Sequence, residues 1–235
     1  MKVYEVTAPL KKKKTAPPPI TPTPKNKIID KKLETASLGS YIELVARQNG
    51  INGVHLANFL AQCKVETANW ASLKEWSNGW QYDPSVNPAS AKELGNKYKG
   101  DGPKYKGRGF IHLTGRWNYE QCGKAIGADL VNHPELVETD TTIAGQSTLW
   151  FWNRFIRTNY KANDIHGVSK RVNGPNPNGL TARINAFNEY VKVLMAPLTK
   201  MNPANKFKKA EADPTDMDTQ VAAADIGTDP EQTVA

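Results

Sequence analysis

From Leu38 to Leu194 apolar residues recur at the three-to-four-residue spacing of helices, and that rhythm stops in one place, the Gly-, Lys- and Tyr-rich stretch from Lys97 to Thr114. A chain patterned this way has to pack several amphipathic helices around a polar, glycine-rich interruption that disfavours helix. The helical stretches are Leu38 to Asn49, with Tyr41, Ile42, Leu44 and Val45 near helical spacing, Gly53 to Trp70, Asn118 to Gly127, Thr141 to Phe155, and Thr181 to Leu194. In the last of these Ile184, Phe187, Tyr190, Val191 and Leu194 share a face. The interruption ends in an Ile111/Leu113 alternation, which predicts a short strand. The expected fold is mainly α, an α+β arrangement with a minor short β element, and there is no internal repeat.

The flanks read differently. Residues 1–36 hold a Lys11 to Lys14 run, Pro17 to Pro19, two more prolines and a second lysine cluster, the composition of an extended basic arm or linker. Ahead of that linker, Val3, Tyr4 and Val6 suit either a short docking strand or a frayed end. From Ala210 onward there are seven acidic residues and no lysine or arginine, so residues 201–235 are expected to be an acidic disordered tail. One enzyme-sized domain is expected over residues 37–200.

Several function classes drop out on composition. No apolar run approaches the ~20 residues of a membrane span, and MKVYEVTAPLKKKK lacks the apolar segment of a signal peptide, so no transmembrane segment and no export signal are expected. Two cysteines, Cys63 and Cys122, cannot make a disulfide framework and read as buried thiols. His55, His112, His133 and His166 show no His-Glu-x-x-His spacing, so no metal is expected. The glycines at 100, 102, 107, 109 and 115 are not followed by Gly-Lys-Ser/Thr, which argues against nucleotide binding, and no cofactor is expected. The net charge of +8 suits an anionic partner.

Two carboxylates stand out. Glu66 lies two turns beyond Phe59, on the apolar face of its helix with Leu56, Leu60 and Cys63. Desolvation there should raise its pKa, the condition a general acid needs, unless it simply pairs with a core arginine. Glu75 is about two and a half turns further on and would face the other way in a continuous helix, so the helix must break, near Asn69, for the two to act together. A polar loop with Lys74, Ser77 and Asn78 would keep Glu75 ionised as a base, although on spacing alone it is equally a solvated surface glutamate. One protonated and one ionised carboxyl is the requirement of glycoside hydrolysis.

The segments Glu66-Thr67-Ala68-Asn69-Trp70, Glu75, Tyr105-Lys106-Gly107-Arg108-Gly109-Phe110-Ile111-His112-Leu113-Thr114-Gly115-Arg116-Trp117-Asn118-Tyr119 and Arg171-Val172-Asn173-Gly174 together resemble the family 19 glycoside hydrolases, in particular their compact bacteriophage endolysin branch. The resemblance implies a lysozyme-like fold and hydrolysis of β-1,4 bonds between N-acetylated amino sugars with inversion. It implies Glu66 as general acid, Glu75 as general base and Thr114 as holder of the attacking water. It also makes Tyr105, Arg108, His112, Arg171, Asn173 and Trp76 candidates for binding substrate, with Arg171 and Asn173 lining the groove or holding the carboxylates. His112 stands where the family usually has Gln. If the segment is extended it shares a face with Thr114 and either packs or meets sugar or water. Trp76 and Trp80 are the sugar-stacking candidates, whereas Trp150 and Trp152 belong to an apolar helix.

The leading function is therefore a peptidoglycan-cleaving muramidase or endolysin, with chitin as the alternative substrate. Such a protein would wait in the host cytoplasm for a holin or travel with the virion. A different class is a virion or wall-binding module that contacts phage tail or virion proteins through the N-terminal arm. Specific nucleic-acid binding through the lysines is not expected.

Overall fold

The structure, a computed structural model, describes residues 37–196, and the expectations for the basic arm and the acidic tail lie outside the described residues. Among these residues there are nine α-helices and no strand: α1 Leu38–Gln48, α2 Gly53–Glu66, α3 Pro88–Leu94, α4 Asp101–Lys104, α5 Arg116–Ile126, α6 Leu136–Thr139, α7 Thr141–Phe151, α8 Ile165–Asn173 and α9 Leu180–Leu194. A 3₁₀ turn spans Trp80–Tyr82, and α7 runs on into a π-helical turn, Trp152–Ile156. The protein is mainly helical, as its apolar spacing predicts, and no described helix is long and apolar enough to cross a membrane.

Short polar side chains set the helix starts. Ser37 accepts from the Ser40 amide, Asn87 from Ser90 ahead of Pro88, Asp140 from Thr142 and Ile143, and Asp164 from Gly167. Each satisfies an amide that has no partner inside its own helix. The centre is α2, buried along Leu56 to Cys63 and packed against α1, α8 and α9. Phe59 meets Trp152 edge-on at 5.0 Å, and Tyr41 stacks with Phe110 at 6.1 Å, tying α2 and the glycine-rich stretch to the same core. Cys63 and Cys122 are both buried and unbridged, and burial pushes both thiols up.

Two expectations need correcting. The second helix ends at Glu66 rather than Trp70, because Ala68, Asn69 and Trp70 all take left-handed backbone, at φ of 49°, 61° and 69°. Thr67 closes that end, donating its hydroxyl to the Cys63 carbonyl at 2.8 Å and accepting the Trp70 amide at 3.0 Å. The second correction concerns the short strand at Ile111/Leu113, which is a tight turn instead. His112 sits at φ 54°, and the only pairing is two isolated antiparallel bridges, Lys74 with Arg108 and Arg108 with Leu113. Three glycines at 107, 109 and 115 make a continuous ladder unfavourable.

Candidate active site

The break after α2 turns the chain back, so that Glu75 pairs with the glycine-rich stretch. Its amide donates to the Gly107 carbonyl at 3.0 Å, and the Gly109 amide donates to Leu73 at 2.8 Å. The carboxylate is held in turn: the Gly107 amide donates to Oε1 at 2.8 Å and the Tyr82 hydroxyl to Oε2 at 3.0 Å. Burial and the neighbouring Glu75 and Glu66 charges push the Tyr82 phenol well up, so it remains a donor. Lys106 straps the loop by donating to the carbonyls of Glu75 and Ser77.

Glu66, at the last turn of α2, is 6% exposed and lies in an ionic cradle. Arg183 of α9 donates to its Oε1 at 2.5 Å, Asn173 of α8 reaches the same oxygen at 3.4 Å, and His112 Nδ1 lies 3.1 Å from Oε2. Arg183 is fixed behind it by Gln62, which also donates to Ser169 and Asn58 in the dry interior between α2, α8 and α9. Burial raises the Glu66 pKa, but the His112 hydrogen bond and the Arg183 and His112 charges outweigh it and hold the carboxyl at about 2. Of the two sequence expectations for this carboxylate, a raised pKa is overturned and pairing with a core arginine is what the structure shows, although the sequence did not single out Arg183.

The two glutamates meet at one turn. A side chain at Gly107 would press on Glu75 Cδ at 3.2 Å and on His112 Cβ at 2.9 Å, so a bare backbone separates the Glu75 carboxylate from the histidine that touches Glu66. Asn173 belongs to this constellation, and its Oδ1 accepts the Asn178 amide at 2.7 Å, closing the loop after α8. Trp76, next to Glu75, is 85% exposed.

Other candidates are placed differently. Tyr105 is wholly buried, with its hydroxyl on the Val131 carbonyl at 2.9 Å. Arg108 is a buried strut that joins Glu138 to the Tyr119 hydroxyl and the Lys104 and Lys106 carbonyls. The Arg171 guanidinium lies 4.4 Å from the Phe155 ring centre in the last turn of α8, which extends through Asn173. Thr114 is fully buried and donates to the His112 carbonyl at 2.8 Å, so any water it holds would be an enclosed one, and it braces the turn that presents His112. Sequence reading missed Arg183, Gln62 and Tyr82. Only the apolar helix face of Glu66, which demands a buried counter-charge, hinted at Arg183.

An α-rich, lysozyme-like scaffold that brings two glutamates of opposite surroundings to one turn defines a protein of the glycoside hydrolase type. The family pattern of glycoside hydrolase 19, chitinase class I, matches residues 42–194, and the chain belongs to that family. It is 43% identical to endochitinase 1 of Theobroma cacao over 102 residues, 41% of this chain and 32% of that one. It is 38% identical to endochitinase A2 of Pisum sativum over 101 residues, 41% of this chain and 31% of that one. The chain thus spans about a third of the length of the curated relatives it matches. The fold is shared with the class IV family 19 chitinase of Zea mays, with a TM-score of 0.52 at 23% identity over 69% of this chain and 82% of that one. It is also shared with a bacterial family 19 chitinase, with a TM-score of 0.50 at 23% identity over 70% and 91% of the two chains.

Proposed function

We propose that the protein hydrolyses β-1,4 bonds between N-acetylated amino sugars with inversion, Glu66 acting as general acid and Glu75 as general base. The observation that carries this reading is the convergence of the two carboxylates on the Gly107–His112 turn, Glu66 buried with Arg183, Asn173 and His112 and Glu75 between an amide and a phenol. An inverting reaction needs two carboxyls in unlike settings, one to deliver a proton to the leaving oxygen and one to take a proton from water. Trp76, exposed beside Glu75, is placed to stack on a sugar ring at the rim.

Peptidoglycan is the substrate we favour, with chitin second. The net charge of +8 suits an anionic wall better than a neutral polymer. On this reading the protein is a phage lysin, released to the wall by a holin or carried on the virion. The test is to digest purified peptidoglycan and chitin oligomers with wild type and Glu66→Gln, then identify reducing ends by labelling and mass spectrometry. Muramic-acid ends from wild type alone support the muramidase reading, and cleavage of chitin oligomers only moves the protein to the chitinases. No cleavage of either polymer overturns the hydrolase.

A further inference from the structure

We propose that His112 stores the proton that Glu66 passes to the leaving oxygen, delivering it from Nδ1 to Oε2 as the glycosidic bond breaks. The inference rests on the hydrolase reading above and deepens it.

The two oxygens of Glu66 have partners of opposite kinds. Oε1 faces Arg183 and Asn173, a guanidinium that does not release its protons and a neutral amide. Oε2 faces His112 Nδ1 at 3.1 Å, a ring nitrogen that, unlike a guanidinium or an amide, can carry a proton or release it. Oε2 is therefore the oxygen that can be charged with a proton, and His112 is the side chain that can charge it. Nε2 of the same ring is buried and has no protein partner, so Nδ1 is the ring nitrogen that the protein engages.

The backbone is arranged around that contact. His112 is a non-glycine residue at φ 54°, left-handed backbone that a side chain disfavours. The strain is held by Thr114, which donates to the His112 carbonyl, and by the absence of a side chain at Gly107, whose Cβ would lie 2.9 Å from that of His112. The ionisable group on the ring is Glu66 of α2, with Arg183 of α9 on its other oxygen; Glu75, held by Tyr82, lies across Gly107, and Lys106 and Arg108 belong to the turn's own segment. Arg108 is already matched by Glu138 and Arg183 by Glu66.

With His112 and Arg183 holding its carboxyl at about 2, Glu66 rests ionised beside the imidazole at neutral pH. A neighbouring imidazolium supplies the proton only when charge develops on the leaving oxygen. The step balances: as the carbon–oxygen bond breaks, the Nδ1 proton passes to Oε2 and the same oxygen hands it to the departing oxygen, so Glu66 ends as it began, while the water that attacks carbon gives its proton to Glu75. The product state has neutral His112, ionised Glu66 and protonated Glu75, and one proton carried by solvent from Glu75 to His112 restores the start.

The experiment compares kcat and KM of wild type and His112→Gln across pH, on labelled chitin oligomers and peptidoglycan fragments, with circular dichroism to confirm folding. Glutamine keeps a donor near Oε2 but cannot store a proton. The expected result is a loss of about 10²-fold in kcat at neutral pH with KM little changed. The alkaline limb should also move toward acid by about one pH unit or more, because Glu66 must then be protonated directly while Arg183 still opposes it. A uniform drop with an unshifted profile overturns the proposal. A nitrogen-15 spectrum of the histidine rings, wild type against Glu66→Gln, needs no turnover. A His112 proton on Nδ1 that wild type retains to higher pH than the variant supports the store, and a ring without a proton on Nδ1 overturns it. If wild type cleaves neither polymer, the hydrolase reading fails on the digestion while the spectrum still decides whether His112 holds a proton for Glu66.

Discussion

Glu66 and Glu75 are the same side chain in two unlike cradles, and on the proposed mechanism that contrast would let one turn hold both an acid and a base. The Glu66 cradle is buried and assembled from two helices and a turn, with a guanidinium, an amide and an imidazole on one carboxylate. The Glu75 cradle is a loop pinned to a glycine, with an uncharged amide and a phenol as its donors. Tertiary packing governs the first, whereas the second depends on local backbone geometry. Substitutions should therefore separate into those that cost folding and those that cost only rate.

The sharpest break comes from removing the carboxylates. Glu66→Gln and Glu75→Gln should each lower kcat by about 10²–10⁴-fold on whichever polymer the protein cleaves, measured by reducing-end release. An equal residual rate in the double variant would show that the two act as one unit. Next in size is Arg183→Met, which leaves Glu66 and Gln62 without their buried partner. It should destabilise the fold by about 3–5 kcal/mol in urea unfolding, whereas an alteration of the loop cradle of that kind should not.

The pH dependence of folding sharpens the same contrast. The Glu66 carboxyl is depressed to about 2 in the folded protein, so its contribution is fully present above the ordinary carboxylate range. That contribution is lost as pH falls toward 2. It amounts to roughly 3 kcal/mol and should vanish from the acid unfolding curve of Glu66→Gln.

Tyr82→Phe tests the loop cradle alone. It removes one donor from Glu75 and should lower kcat by about tenfold with the melting temperature nearly unchanged. The smallest effect is expected at Ala68→Gly. It relieves a φ of 49° and should stabilise the protein by about 0.5–1 kcal/mol in thermal unfolding.

The same contrast shows what the sequence could and could not convey. Helical spacing located the long helices because each buries a face over three or more turns. The short helices Pro88–Leu94, Asp101–Lys104 and Leu136–Thr139 contain too few turns to show a period. Glu66 was legible as a carboxylate on an apolar face, and the need for a chain reversal before Glu75 followed from counting turns. The direction of the Glu66 pKa was not legible, because Arg183 lies 117 residues away in sequence and only the packing of α9 on α2 delivers it. Tyr105 and Arg108 sit inside the densest motif of the chain, where every polar residue resembles a ligand contact. Only burial shows that they support the turn. His112 was read as extended from an Ile111/Leu113 alternation that is too short to distinguish a strand from a tight turn.

The placement of Arg183 has a consequence for how far this protein can be shortened. Glu66 and Glu75 both lie before residue 80, and the turn on which they meet is complete by Thr114, so a trimmed version ending soon after α5 would retain both proposed reactive groups. It would also lack the guanidinium that neutralises Glu66, along with Asn173 and most of the wall behind them. On the proposed mechanism the smallest working unit extends through α9, because the second half of the chain supplies the counter-charge that lets Glu66 stay buried.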